Sequence, residues 1–153
     1  MATISSQDRE LCRRMHALCA CDHLRRSARG ITQVYDAGMG PGSLKVTQVP
    51  ILVGLGLGGD QPVSGLASVL GLDRTTLTRN LRVLEERGLV STAAHEYDAR
   101  VRMVSITPAG SRELSDALAR WEAVQARVEE RFGAERLSAL YDELDALAAA
   151  VDR

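Results

Sequence analysis

The stretch at residues 63–90, VSGLASVLGLDRTTLTRNLRVLEERGLV, constrains the fold most, because it divides into a short helix, a turn at Gly71 and a longer helix. This is the spacing of a helix-turn-helix. Ser64 is predicted to cap the first helix and Asp73 the second, since short polar side chains accept a hydrogen bond from the first turn. Gly88 is predicted to end the second helix, because glycine readily adopts the left-handed conformation.

Each of these helices is predicted to have one apolar side. The inward-facing residues are Leu66, Val69 and Leu70 in the first helix and Leu77, Leu81 and Leu84 in the second. The residues that cluster within about a third of the circumference on the opposite side of the second helix are Thr75, Thr78, Arg79, Arg82 and Glu86. Arginine can bond guanine at two points in the major groove of DNA, and threonine can contact a phosphate or a thymine methyl group. The alternative is an ordinary solvated helix face.

The segment that follows, LVSTAAHEYDARVRMVSITPAG, favours the DNA-binding interpretation. It predicts a strand at 89–94, a charged loop at 95–100 and a second strand at 101–106. A hairpin directly after a recognition helix is a wing, and Asp98 and Arg100 lie at its tip.

The N-terminal part predicts one long amphipathic helix over 8–36, which ends at the glycine-rich segment 36–43. Its apolar side consists of Ala17, Cys21, Leu24, Ala28, Ile31 and Tyr35. Thr47 is predicted to cap a short following helix that has Pro50 in its first turn. The glycines at 54–59 predict the end of that helix rather than a nucleotide-binding loop, because the segment DQPVSG after them is predicted to be a loop and not a helix.

The C-terminal part predicts two helices. Thr107 and Pro108 begin a helix that runs to about Phe132, and a final helix follows Gly133. The predicted buried stripes are Leu114, Leu118, Trp121 and Val128 in the first, and Leu137, Leu140, Leu144, Leu147 and Val151 in the second. The central part is too small to cover such long apolar faces, so we expect a two-fold homodimer.

Length and charge narrow the class of protein. The 153 residues are enough for one domain, and the net charge of −1 hides an uneven distribution. Residues 73–112 hold seven arginines and five acidic residues, whereas residues 113–153 hold five arginines and ten acidic residues. Only the middle of the chain therefore has a charge that favours binding of a polyanion. No segment has the features of a membrane span or a secretory signal, and we expect a cytoplasmic protein. No catalytic motif is visible, so neither an enzyme nor a cofactor is predicted.

The segments at 66–90 and 97–110, together with the flanking long helices, resemble the MarR family of winged-helix transcriptional regulators. The resemblance covers nearly the whole chain. It implies a mainly α fold with a small β-hairpin wing, in which 60–107 form the DNA-binding part and 8–58 and 108–153 form the dimerisation part of one domain, 1–153. The alternative to DNA binding is a winged helix that binds another protein.

The resemblance also implies how such a protein acts. The helix that starts at Asp73 enters the major groove of an operator, Arg100 inserts into the minor groove, and Asp98 holds a nearby arginine in place. The predicted DNA contacts are Arg74, Thr75, Thr76, Thr78, Arg79, Arg82, Asp98 and Arg100. A dimer with two such helices is expected to read a pseudo-palindrome and to repress by competing with the transcription machinery. Members of the family commonly release DNA when a small molecule, often a phenol or an aromatic carboxylate, binds between the dimer helices and the winged part.

The segment HALCACDHLRR at 16–26 brings thiols and imidazoles together. Cys12, His16, Cys19 and His23 are spaced by four, three and four residues, so on one helix they share a side. Thiolate and imidazole are good ligands for zinc and copper, but one straight helix cannot easily supply four of them. Ordinary packing is the leading interpretation, and metal sensing the alternative.

Cys21 belongs to the opposite, apolar side and raises a second alternative, redox sensing. Its position relative to Arg29 and Tyr35 matches the reactive cysteine of peroxide-sensing MarR proteins. Arg25 stands where those proteins have a companion tyrosine. Nearby arginines could still favour the thiolate of Cys21.

Overall fold

In the computed structural model, which describes residues 4–151, the chain folds into seven helices and three short strands. The helices are α1 (Ser6–Leu18), α2 (Ala20–Met39), α3 (Val49–Gly58), α4 (Val63–Val69), α5 (Arg74–Glu86), α6 (Pro108–Phe132) and α7 (Ala134–Val151). The strands are β1 (Gln61–Pro62), β2 (Val90–Ala94) and β3 (Arg102–Ile106), which form an antiparallel sheet in the order β1-β3-β2. The mainly α fold with a small wing is as predicted. No helix among the described residues is long and apolar enough to cross a membrane.

The helix-turn-helix forms around a tightly packed core. Leu77, Leu81 and Leu84 of α5 are buried, as their spacing predicts. They pack with Leu66 of α4 and with Val104 of β3, so the sheet covers one side of the two helices. Burial of each such leucine stabilises the fold by about 1.5–3 kcal/mol relative to an exposed one. The outer face of α5 is therefore held in a defined direction.

The start of α4 differs from the prediction. Gln61 and Pro62 pair with Val104 and Met103 of β3, so part of the segment predicted to be a loop is a short strand. Two residues are too few for an alternating pattern to be visible in the sequence. The helix α4 then begins at Val63, and Ser64 lies inside it instead of capping it.

Two further local predictions are corrected. In α4 it is Ala67 that is buried beside Leu66, whereas Val69 is 74% exposed, because Val69 lies about 200° around the helix from Ala67. The helix α3 has Gln48, not Thr47, at its N-cap position, and the side chain of Gln48 accepts a hydrogen bond from the N–H of Lys45. The helix end at the 54–59 glycines is confirmed.

The predicted continuous helix over 8–36 is wrong, because the backbone at Cys19 is extended, with ψ of 106°, and separates α1 from α2. The N–H of Cys19 still donates to the carbonyl of Met15, and its own carbonyl accepts from His23 in α2. The imidazole Nε2 of His23 lies 3.0 Å from the carbonyl oxygen of Ala17, which lies at the end of α1. The break thus keeps backbone hydrogen bonds on both sides and changes the direction of the helix.

The helix α6 begins at the predicted cap, where the Thr107 side chain accepts a hydrogen bond from the N–H of Gly110. Its buried residues are Gly110, Ala117 and Val124, whereas Leu118 and Trp121 of the predicted stripe are about 40% exposed. Small residues face the core because α6 crosses α2 and the start of β2 closely. In α7 only Leu137 of the predicted stripe is buried.

Candidate nucleic-acid interface

The N-terminus of α5 is fixed by Asp73. One carboxylate oxygen accepts from the N–H of Thr76 at 2.9 Å, and the other accepts from the Thr76 hydroxyl at 2.6 Å. These hydrogen bonds from Thr76 lower the pKa of Asp73 below its ordinary value of 3.8. The cap predicted from the sequence is present, and Thr76, which we predicted to contact DNA, uses its hydroxyl to complete it.

The outer face of α5 presents hydroxyl and guanidinium groups to solvent. The residues that line a shallow surface on this face are Thr75, Thr78, Arg79 and Arg82, as their spacing predicts, together with Arg74. The hydroxyl of Thr78 donates to the carbonyl oxygen of Arg74 at 2.7 Å, so in the free protein its proton is used within the helix. Thr78 as a whole is exposed to solvent.

The arginines of this face differ in their partners. Arg82 pairs with Glu86 at 2.9 Å across one turn of the helix. Among the described residues, Arg74, Arg79 and Arg100 take part in no ion pair within 4.0 Å. Exposed ion pairs such as that of Arg82 contribute little and can exchange readily for a phosphate.

A groove of about 680 Å³ lies between α5 and the wing. It brings together four of the predicted residues, Arg74, Thr78, Arg82 and Arg100. The polar residues of the groove that sequence reasoning missed are Ser64, Glu85, Thr92 and Arg102. The signal that could have found Arg102 is strand alternation, because it stands two residues before the apolar Val104 and so faces the same side of β3.

The wing itself matches the prediction closely. Its strands pair from Val90 with Ile106 to Ala94 with Arg102, within one residue of the predicted bounds. At the tip, a carboxylate oxygen of Asp98 accepts from the backbone N–H of Arg100 at 3.0 Å, which tightens the turn and presents the Arg100 side chain. Within residues 4–151, Asp98 takes part in no ion pair, so the expected contact between Asp98 and an arginine side chain stays a prediction.

The thiols and imidazoles near the N-terminus are not brought together within one chain. All three cysteines are free, with Cys12 and Cys21 exposed and Cys19 half-buried at the break between α1 and α2. The break removes the common helix side on which His16 and His23 were expected. No three metal-binding side chains converge anywhere in residues 4–151.

Tyr35 is the member of the redox candidates that has a defined polar contact. Its hydroxyl donates to the side-chain oxygen of Gln125 in α6. Burial raises the pKa of the Tyr35 phenol, and Tyr141 and Glu129 raise it further, so the hydroxyl stays protonated at neutral pH. Cys21 and Arg29 lie on the same helix, but Cys21 is 14 residues, or about 21 Å, from Tyr35.

Comparison with known proteins supports the fold. A model of the MarR family matches residues 43–101, which span the helix-turn-helix, the first wing strand β2 and the wing tip. The transcriptional regulator MosR of M. tuberculosis, crystallised in complex with DNA, is 35% identical, with a TM-score of 0.74 over 88% of this chain and 99% of that one. Comparison with curated protein sequences gives no significant match.

Two other solved structures are also similar. A probable transcriptional regulator from Pseudomonas aeruginosa is 29% identical, with a TM-score of 0.72 over 81% of this chain and 92% of that one. PcaV from Streptomyces coelicolor, at 18% identity, shares the fold along 99% of this chain and 100% of that one, with a TM-score of 0.80. With a winged helix, a matching family model and a full-length relative above 30% identity, this chain is a member of the MarR family of transcriptional regulators.

Proposed function

We propose that the protein is a homodimeric repressor that binds a pseudo-palindromic DNA operator and leaves it when a small molecule binds. The observation that carries the proposal is the groove between α5 and the wing, where four arginines face one side of the molecule. A concave surface of this charge attracts the phosphates of DNA, while the exposed threonines and Arg79 reach toward base edges. The similarity to MosR, which is seen with DNA, adds support.

The dimer supplies the symmetry of the operator. Apolar side chains of the terminal helices, among them Leu24, Ile31, Leu144 and Leu147, are more than a third exposed in the single chain. A second copy would cover them and place two α5 helices about one turn of DNA apart. Bound there, the protein would compete with the transcription machinery.

Operator binding by variants of α5 tests the proposal. Arg79→Ala and Arg82→Ala should each cost about 1–3 kcal/mol of binding free energy on the DNA upstream of the protein's own gene. Arg13→Ala removes the same charge from α1, away from the groove, and is the matched control. Wild-type affinity in both α5 variants would remove the assignment of the recognition helix.

The class of the signal is tested by one panel. Operator binding is measured with aromatic acids, phenols, peroxide, zinc and copper, and we expect release by an aromatic acid or a phenol. The protein exchanges between a form that can bind DNA and a form that cannot. A ligand causes release only if its affinity for the second form is higher than its affinity for the first. If peroxide releases the DNA from the wild-type protein but not from Cys21→Ser, the redox alternative is favoured. If zinc or copper releases the DNA, the metal alternative is favoured.

A further inference from the structure

We propose that Arg102 binds a phosphate of the DNA backbone in the groove between α5 and the wing, and that Thr92 and Glu85 hold its guanidinium for this contact. The inference rests on the proposed function, since it names a further contact of the same surface. Arg102 lies beyond the Asp98 and Arg100 pattern of the wing tip and was not among the predicted DNA contacts.

The pairing of the wing strands places Arg102 beside Thr92. Val104 of β3 is fully buried against the core, and Arg102, two residues before it, leaves the strand on the same face. Thr92 is the partner of Val104 in β2, so Thr92 and Arg102 are diagonal neighbours on that face. This is the face that packs against α5, and where the core ends it opens into the groove.

Two successive hydrogen bonds run from Arg102 through Thr92 of β2 to Glu85 of α5. A terminal nitrogen of Arg102 donates to the hydroxyl of Thr92. That hydroxyl donates in turn to a carboxylate oxygen of Glu85 at 2.7 Å. A hydroxyl has one proton to donate, so its bond to Glu85 leaves its lone pairs turned toward Arg102. The chain of contacts therefore fixes the direction of the guanidinium.

The charges around Arg102 favour a phosphate as its ligand. The groove holds Arg74, Arg82 and Arg100 besides Arg102, and Glu85 is its acidic residue. A guanidinium has five N–H donors, so after the bond to Thr92 it retains others in the planar arrangement that matches two phosphate oxygens. The carboxylate of Glu85 by itself repels the phosphates of DNA. Its hydrogen bond with Thr92 nevertheless lets it support binding, because it orients the hydroxyl that holds Arg102.

The role of Arg102 is tested by the salt dependence of binding. A phosphate contact carries no sequence information, so Arg102→Ala should weaken binding to the upstream duplex and to a random duplex by the same factor, about tenfold. It should also reduce the slope of log K against log salt concentration by about one. Arg79→Ala, the base-reading control, should change the ratio between the two duplexes.

The roles of Thr92 and Glu85 are tested by matched pairs of variants. Thr92→Val keeps the shape and removes the hydroxyl, so binding should weaken about threefold, and Thr92→Ser should restore it. Glu85→Ala should also weaken binding although it removes a negative charge, whereas Glu85→Gln, which keeps an oxygen acceptor, should not. Unchanged thermal unfolding temperatures would show that the variants are folded.

The outcomes separate this inference from the proposed function. If the wild-type protein binds DNA but Arg102→Ala keeps both its affinity and its salt slope, Arg102 has no phosphate contact. If Arg102→Ala behaves as expected but Glu85→Ala binds DNA more tightly, Glu85 is only a repulsive charge and the positioning role is wrong. If the wild-type protein binds neither duplex at low salt, the proposed function fails and this inference with it.

Discussion

The central winged part and the terminal helices carry equally regular leucine patterns but bury them differently. Leu77, Leu81 and Leu84 of α5 are at most 4% exposed, whereas Leu144 and Leu147 of α7 are 37% and 39% exposed. The central pattern is covered by α3, α4 and the sheet of the same chain, whereas within residues 4–151 α7 packs mainly against α6. An apolar stripe indicates that a face will be buried, and it does not indicate by which chain.

The largest effect is expected from a charge in the apolar face of α7. Leu144→Glu should convert the proposed dimer into a monomer at micromolar concentration, because a carboxylate cannot be buried unpaired in an apolar interface at acceptable cost. Analytical ultracentrifugation measures this. The same change at Val69, which is 74% exposed in α4 of the predicted DNA-binding part, is the control and should leave the dimer intact. A dimeric Leu144→Glu protein would place the interface elsewhere.

Truncation of a leucine should separate the two regions by stability. Leu84→Ala should lower the free energy of unfolding by about 2–5 kcal/mol, because Leu84 is fully buried and a cavity would remain. Leu147→Ala should cost little within one chain and make unfolding depend more strongly on protein concentration. Urea denaturation at two protein concentrations distinguishes the two effects. Equal losses of unfolding free energy in Leu84→Ala and Leu147→Ala would contradict the contrast between the two regions.

Two helical glycines offer a smaller test of the same contrast. A methyl group at Gly110 would overlap the carbonyl of Leu89, so Gly110→Ala should destabilise the protein by about 1–3 kcal/mol. Gly30 in α2 has open space around it, and Gly30→Ala should instead stabilise by about 0.5–1 kcal/mol. Thermal unfolding measures both, and a loss of stability in Gly30→Ala would show that another chain packs there.

The smallest effect concerns the cap of α5. The pKa of Asp73 is lowered in the folded protein, so its stabilising effect is present above the ordinary value of 3.8 and is lost as the pH falls through the lower folded value. The difference in stability between wild type and Asp73→Ala should therefore shrink in acid. Asp73→Asn caps without titrating, and its difference from Asp73→Ala should stay constant with pH. If the difference in stability between wild type and Asp73→Ala does not change with pH, Asp73 is not a titrating cap.

Most predictions that depend on local signals were accurate, although the caps predicted at Ser64 and Thr47 were not. The cap at Asp73, the end of α5 before Gly88 and the start of α6 at Thr107 agree with the structure, and the wing strands do so within one residue. Each depends on hydrogen bonds or backbone angles set by a few neighbouring residues. The break at Cys19 was missed because no glycine or proline marks it.

Within the candidate interface, helical spacing predicted Thr75, Thr78, Arg79 and Arg82 of α5. It did not predict the contact between Arg102, Thr92 and Glu85. Their contact joins two strands and a helix that are separated in sequence, so it depends on the strand register and on the angle of α5 against the sheet. Helical periodicity describes one element at a time and carries no information about such a contact.

The sequence by itself determined the helix-turn-helix, the wing and the two C-terminal helices, together with the buried side of α5 and its exposed arginines, because local propensity and periodicity act along the chain. Only the tertiary structure decided that α6 presents Ala117 and Val124 to the core instead of Leu118 and Trp121, since close crossing of helices favours small side chains. It also decided that Arg102 faces the groove, because strand pairing and packing of the sheet against α5 set that direction.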